Sequence, residues 1–544
     1  MAGDRRGPVI PRTEAGLESG PAASTGARRG LGPEVRRRRA ARARRHWCFL
    51  VVFFAGVALR VVTQIAYRPA LLYIDSYRYL ENVRALNPTL TEPIGYNAIV
   101  LRPLLWAGNL ATVAVAQHVL GLAMGVAIYT LLLRYRVRPW LAALAIAPLM
   151  LDAYQLQIEH NLLSETLFEA LIVAAVVVLL WRRRSTWSAL AVGGLLLGVS
   201  VSVRTVGLPL VAPAALFAAL ASPGGWRRLG QAAVLTAAFA LPVVGYGAYF
   251  SAVAGRIGLS TADASVIYGR AATIVDCRHL ELPSYERVLC PPQPLGHRLG
   301  VDNYAHINVL DKEVHPPPGE TTNQVLRNFA VRVFRHQPLD LMHAVLADFI
   351  KGFALSPTTS HNDVPVSRWQ FQVTYPTFPP HDPQPVTQTY GGGKPTTVTA
   401  LTEFLRDYQL SIGFAPGPLL GAAFLAGLLG AVGVGRARRS GLQAACLLAT
   451  LVGLILLLGA DIYEFSWRYQ LPALVFAPLG GALGVTALLR RPPRASETTR
   501  LRAHPALLRL WHVLSTTSPG TPTPRPDARP GVRELTTEDS HRGQ

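Results

Sequence analysis

Leu447-Leu448-Ala449-Thr450-Leu451-Val452-Gly453-Leu454-Ile455-Leu456-Leu457-Leu458 runs into Asp461-Ile462-Tyr463-Glu464-Phe465-Ser466-Trp467-Arg468-Tyr469-Gln470-Leu471-Pro472, and a second apolar stretch continues to about 489. The runs on either side, about 441–460 and 470–489, each approach the roughly 20 apolar residues that a helix needs to cross a bilayer core. Two carboxylates and an arginine sit at the tip between them. The pattern is a hairpin of membrane helices with a charged turn.

Eight more runs of this kind lie outward from that hairpin, at about 47–66, 109–133, 139–156, 163–181, 187–203, 206–222, 230–250 and 417–435. The composition agrees. Of the 544 residues 50% are hydrophobic and 16% charged, whereas a soluble domain has about 25% charged residues. So apolar a chain would collapse rather than stay disordered throughout. The formal charge of +21 could suggest a nucleic-acid binder, but the placement of the arginines excludes it. Twelve precede the first run, and clusters follow alternate runs: Arg134, Arg136 and Arg138; Arg182, Arg183 and Arg184; Arg227 and Arg228; Arg436, Arg438 and Arg439; Arg490, Arg491 and Arg494. Short cytoplasmic loops carry this excess. Every second loop is basic, so both termini are expected in the cytoplasm, with the charge on loops that can touch anionic membrane lipid.

The expected organisation is an all-α polytopic plasma-membrane protein of about ten transmembrane helices. Residues 1–46 form a basic, disordered cytoplasmic leader. Residues 47–250 hold seven helices, and 417–490 hold three. Residues 251–416 form a small extracytoplasmic domain of mixed α+β and irregular structure, and 491–544 a basic, mostly disordered tail. The first run follows a long arginine-rich leader and no small-residue cleavage site follows it, so it is not a cleaved signal peptide. About 500–514 has the residues of an amphipathic helix on the inner leaflet. Within the exported stretch, 322–355 has helical periodicity, and Trp369-Gln370-Phe371-Gln372-Val373 alternates like a strand. Cys277 and Cys290 both fall there, and a pair in an oxidising compartment reads as a disulfide; two free thiols are the alternative. Cys48 and Cys446 fall in apolar runs.

Ionisable residues at membrane depth are costly and usually functional. Here they gather at the outer ends of the runs: Tyr73 to Glu81, Asp152 to His160 with Ser164-Glu165, Val203-Arg204-Thr205, and Asp461 to Pro472. Aromatic residues and arginine are ordinary interfacial anchors, but Asp75, Glu159, Glu165 and Glu464 are not. Four segments thus bring carboxylates and arginines to one face, as an active site at the outer surface requires.

These residues resemble the integral-membrane glycosyltransferases of the C superfamily, the protein mannosyltransferase and aminoarabinose transferase type, in the actinobacterial branch. The resemblance runs in order through Ile74-Asp75-Ser76-Tyr77, Gly95 to Arg102-Pro103, Ser164-Glu165, Gly194 to Gly198 leading into Arg204, and Arg468-Tyr469-Gln470-Leu471-Pro472. The family pair of acidic residues after the first span is here Asp-Ser, so the second carboxylate is missing. The resemblance implies transfer of a sugar, hexosyl or pentosyl, from a polyprenyl-phosphate donor to an extracytoplasmic lipid, glycan or protein. Asp75 takes the place of the base; capping the following helix is its other role. Arg204, Arg468 and Arg102 are the candidates for the donor phosphate. An interfacial anchor is the alternative for Arg468, and a structural partner of Glu165 is the alternative for Arg204. Glu159, His160, Glu165 and Tyr469 are placed as acceptor-binding or supporting residues. The two glutamates could hold acceptor or a divalent ion, or neutralise the arginines, and no cofactor is definite. Arg60 and Glu169 are a possible pair, and His118 reads as packing. A flippase for lipid-linked saccharides and a non-catalytic envelope assembly protein are the competing readings.

Overall fold

The computed structural model describes residues 33–89, 92–182, 185–222, 224–261, 263–308 and 314–490. The leader up to 32, the tail after 490 and the stretch at 500–514 lie outside the described residues. In chain order the helices are α1 (Pro33–Ala66), α2 (Ile74–Asn82), α3 (Arg102–Ala107), α4 (Leu110–Arg134), α5 (Pro139–Leu151), α6 (Ala153–His160), α7 (Glu165–Trp181), α8 (Trp187–Val203), α9 (Val211–Ala221) and α10 (Trp226–Ala254). Five belong to the stretch 251–416: α11 (Asp263–Ile274), α12 (Thr322–His336), α13 (Pro338–Lys351), α14 (Pro383–Tyr390) and α15 (Thr399–Ser411). The last three are α16 (Gly417–Val432), α17 (Gln443–Asp461) and α18 (Leu471–Leu489).

Each of the ten apolar runs is helical. Among the described residues five helices (α1 from Arg45, α4, α10, α17 and α18 from Trp467) are long and apolar enough to cross a membrane alone, and the bent pair α5–α6 makes a sixth. The remaining runs form shorter apolar helices; seventeen residues of α8 rise about 26 Å, close to the bilayer core. Large apolar side chains face outward along α1 (Val51, Phe54), α4 (Val119) and α16 (Leu419, Leu425), which suits lipid as the surrounding solvent.

Three boundaries differ from expectation. Helix α1 starts at Pro33, not near 47: proline is favourable at the first helical position, and neither glycine nor proline interrupts 34–55. The third run breaks at Asp152, where α5 and α6 meet at 49°. Asp152 caps α6 by accepting from the Tyr154 and Gln155 amides at 2.9 and 3.4 Å, and its other oxygen accepts from Ala415 N at 2.8 Å. The sixth run opens as a 3-10 turn over Thr205–Leu210, which contains Pro209, before α9 begins.

The interior is built by close helix approach. Helix α18 is buried along most of its length and packs on α16, α17 and α5. A Cβ at Gly484 would collide with the Ala426 carbonyl, and one at Gly194 with the Leu235 carbonyl. Glycine is therefore what lets α18 meet α16 and α8 meet α10. Arg134 donates to the Trp181 carbonyl, and Arg490 to that of Ser440 at 3.2 Å. The basic loops thus meet at the bundle end opposite the start of α7.

The stretch 251–416 is helical and irregular, with little strand, among the described residues. Among the described residues its one named strand is β2 (Thr396–Thr397), which pairs antiparallel with β1 (Tyr67–Arg68) at the end of α1. No strand forms at Trp369–Val373, because α15 side chains satisfy that backbone: Gln409 Oε1 accepts from Phe371 N at 2.7 Å, and Arg406 donates to Phe371 O at 2.9 Å. The periodic stretch 322–355 becomes α12 and α13, divided at Gln337-Pro338. Cys277 and Cys290 are joined as a disulfide, closing a 13-residue separation.

Candidate functional site

A cavity of about 490 Å³ opens at the bundle end where α2, α7 and α18 begin and α8 and α17 finish. Tyr73 is the N-cap of α2, and its amide donates to Ser76 Oγ at 2.9 Å. Asp75 therefore does not cap the helix. It lies in the first turn, where the helix dipole favours a carboxylate, and its side chain is free to face the cavity. Ser164 is the N-cap of α7 and presents Glu165. Arg204 follows the last residue of α8 in an extended conformation. Arg468 lies in the 3-10 turn Trp467–Gln470 that leads into α18.

These four side chains form an alternating chain of charge. Arg468 Nη1 donates to Asp75 Oδ2 at 2.5 Å, and its Nε donates to Glu165 Oε1. Arg204 Nη1 donates to the same Glu165 oxygen at 2.5 Å. Arg78 flanks Asp75 at 3.5 Å. Tyr79 OH and Arg204 both donate to Ser164 Oγ, at 2.9 and 3.3 Å. The Arg468 guanidinium lies 5.4 Å from the Trp369 ring centroid, 5.7 Å from Tyr469 and 5.8 Å from Tyr73. Arg204 lies 5.3 Å from the Tyr469 ring. Desolvated charges persist only when paired and hydrogen-bonded, and this group is neutral as a whole. Burial alone would raise the Asp75 carboxyl, but Arg468, Arg78 and Arg204 outweigh it and hold it below its ordinary range. Glu165 holds Arg204 above its ordinary value against the opposing effect of burial.

The rest of the wall carries carboxylates without such clamps. Burial raises Glu92 to about 7, with Asp75 adding to the effect, and raises Glu464 to about 8. Glu464 Oε1, Glu169 Oε1 and Glu165 Oε2 have no hydrogen-bond partner among the described residues. Glu169, Asp302, His306, Arg368 and Trp369 also line the cavity, together with the apolar side chains of Phe168, Val206, Leu456 and Leu471.

Of the residues singled out from sequence, Asp75, Glu165, Arg204, Arg468 and Tyr469 come together. Arg102 does not: it is exposed at the start of α3 and does not line the cavity. Glu159 and His160 are buried behind it. Arg60 grips Glu159 through Nε and Nη2, at 2.9 and 2.7 Å, so the partner of Arg60 is Glu159 rather than Glu169. His118 bridges the two, with Nδ1 3.1 Å from Glu159 and Nε2 3.0 Å from His160. His160 Nε2 lies 2.9 Å from the Tyr67 carbonyl. The bend at Asp152 turns α6 inward and closes this network on itself. The sequence reading overlooked Glu92, Arg368 and Trp369 as cavity residues. Glu92 had a signal: it is an acidic residue between the first two apolar runs, three residues before Gly95. Among the described residues, no group of three or more His, Cys, Asp or Glu is arranged to hold a metal ion.

No family model matches the chain, and no curated protein sequence matches it. Solved structures with some likeness include the archaeal oligosaccharyltransferase AglB from Archaeoglobus fulgidus in complex with an inhibitory peptide and a dolichol-phosphate. That match has a TM-score of 0.40 and 14% identity, over 88% of this chain and 53% of that one. The chain thus spans about half the length of that protein. ArnT from Cupriavidus metallidurans bound to undecaprenyl phosphate matches with a TM-score of 0.31 and 14% identity, over 79% of this chain and 77% of that one. These scores are too low to carry an argument, and the functional reading rests on the cavity.

Proposed function

We propose that this chain is a membrane glycosyltransferase of the C-superfamily kind. It would transfer a sugar from a polyprenyl-phosphate donor to an acceptor on the outer side of the membrane. The supporting observation is the alternating Asp75–Arg468–Glu165–Arg204 group in a cavity lined by both charged and apolar side chains. In the proposed orientation both termini are cytoplasmic and 251–416 is outside, because the arginine-rich loops share the end opposite the cavity.

The two arginines are already desolvated, aligned and paired with carboxylates. A donor phosphate entering the cavity takes over guanidinium donors from Asp75 and Glu165. Preorganised donors of this kind stabilise charge that develops on a leaving group. Before the donor binds, Arg468 keeps Asp75 ionised; the exchange removes that clamp, and the freed carboxylate can accept a proton. The acceptor oxygen attacks the anomeric carbon, and its proton goes to Asp75. The bond from that carbon to the phosphate oxygen breaks, and polyprenyl phosphate leaves with its added negative charge held by Arg204 and Arg468. The apolar lining residues Phe168, Val206, Leu456 and Leu471 suit the first isoprene units. Glu92, Glu169 and Glu464 face the space left for sugar and acceptor. A flippase would need polar groups open along a route through the bundle, whereas the Arg60–Glu159–His118–His160 chain is closed on itself.

Membranes containing the chain, given radiolabelled polyprenyl-phosphate sugars, should transfer label to an endogenous acceptor. Asp75→Asn and Arg468→Ala should each abolish transfer. Full transfer by both variants would remove the proposed site. Reporter fusions placing 251–416 in the cytoplasm would overturn the orientation.

A further inference from the structure

The loop that carries Arg468 does not hold its own position. It starts where α17 ends at Asp461, and the last carbonyls of a helix have no partner within the helix. A residue of the exported stretch supplies the partner. Arg270, on α11 and only 4% exposed, donates from Nη2 to Asp461 O at 2.8 Å and from Nε to Ile462 O at 3.1 Å. A cation at a helix C-terminus also meets the negative end of the helix dipole. The guanidinium is oriented in turn by Asp348 on α13, whose Oδ2 accepts from Nη2 at 2.6 Å. Lys351 Nζ donates to Asp348 Oδ1 and Asp363 Oδ1, both at 2.8 Å, and lies 5.3 Å from the Phe465 ring.

Two more contacts hold the far side of the loop. Trp467 Nε1, beside Arg468, donates to the Thr358 carbonyl at 2.8 Å. Gln470 Nε2 donates to Asp461 Oδ1 at 3.1 Å, tying the two ends of the turn together. The segment 461–470 is therefore braced mainly by groups from the exported stretch, although Arg468 itself points to Asp75 and Glu165.

We propose that Arg270 is a positioning residue for Arg468, capping α17 and fixing the loop so that the Arg468 guanidinium faces the donor phosphate. The exported stretch is then part of the apparatus that shapes the site and not only a cover over it. The phosphate part of this inference rests on the donor reading given above. A planar guanidinium can reach both carbonyls and the Asp348 carboxylate together. An ammonium can keep only some of these bonds, and a neutral amide keeps neither the charge nor the fork.

The test uses the full chain purified in one detergent, as wild type, Arg270→Lys and Arg270→Gln. Hydrogen–deuterium exchange reads the backbone amides of 461–470, and titration with undecaprenyl phosphate reads affinity. The expected result is faster exchange confined to that segment in Arg270→Gln, with partial recovery in Arg270→Lys. Affinity should weaken about ten- to a hundredfold in Arg270→Gln, the scale of losing one hydrogen bond to a charged group, and less in Arg270→Lys. Unchanged exchange in 461–470 would overturn the proposal. So would faster exchange with unaltered affinity, because the clamp would then be structural only. If Arg270→Gln fails to fold, Arg270→Lys decides by the same two readings. A wild-type chain that binds no undecaprenyl phosphate would remove the donor reading, while the exchange experiment would still decide whether Arg270 positions the loop.

Discussion

Replacing Arg468 with methionine should strand one charge in particular. Glu165 would still have Arg204 at 2.5 Å. Asp75 would keep only Arg78, at 3.5 Å and with a side chain 35% exposed, and a partly solvated pair of this kind contributes about 1 kcal/mol or less. Removing one partner of a buried ion pair costs about 3–5 kcal/mol. The surviving Glu165–Arg204 pair puts Arg468→Met near the lower end, at about 3 kcal/mol. Asp75→Asn alone should cost about 1.5 kcal/mol, the low end for a hydrogen bond to a charged group, since Arg468 keeps Glu165. In the double variant the neutral amide no longer needs a cation, so a coupling of about 2 kcal/mol should appear in the cycle. Unfolding of the four purified proteins in the same detergent measures it. Costs that add to within about 0.5 kcal/mol would refute the claim that Asp75 and Arg468 are a desolvated pair. The same proteins separate stability from function: the double variant should recover part of its stability and none of its transfer.

Reducing the Cys277–Cys290 disulfide, or replacing both cysteines with serine, should lower stability by about 3 kcal/mol on the chain-entropy account; thermal unfolding with and without reductant checks this. Glu92 at about 7 and Glu464 at about 8 lie above their ordinary carboxyl value of 4.5. Between these values the folded state holds protons that the unfolded chain has released, so the contribution of these groups to stability falls as pH rises from about 4.5 to about 8. Unfolding from pH 5 to 9 should show that decline, reduced in Glu92→Gln and Glu464→Gln; wild-type-like pH dependence in both variants would contradict it. Gly484→Ala should push α18 away from α16 and cost about 2 kcal/mol, as overpacking does. Gly245→Ala on α10, where a Cβ meets nothing within 4 Å, is the control and should not destabilise.

The ten apolar runs are legible as helices because a long apolar run has few alternatives; among the described residues five of these helices, and the bent pair α5–α6 as a sixth, are long and apolar enough to cross a membrane. The boundary of α8 was read at 187–203, as found. Two of the differences arise where a side chain acts on distant backbone. Asp152 falls within the third apolar run, yet it breaks that run by accepting amides from α6 and from Ala415, 263 residues away. That bend carries Glu159 and His160 inward to Arg60 and His118. Near the polar end of a run, sequence alone cannot distinguish a residue facing outward from one facing a buried arginine. Trp369–Val373 alternates correctly for a strand, but a strand needs a neighbouring strand, and α15 occupies that place.

The residues at the tips show the same division. The sequence by itself determined that Asp75, Glu165, Arg204 and Arg468 stand at helix ends on one side of a membrane bundle. That follows from periodicity and from the alternation of arginine-rich loops, both local properties of the chain. Which carboxylate holds which arginine was decided only by the tertiary structure. Arg468 meets Asp75 across 393 positions and Glu165 across 303, and it stands on a loop braced by Arg270 of α11. Charges withdrawn from water must be matched within a few ångströms. The matching depends on how α2, α7, α8 and α18 pack, which the order of residues along any one helix does not contain.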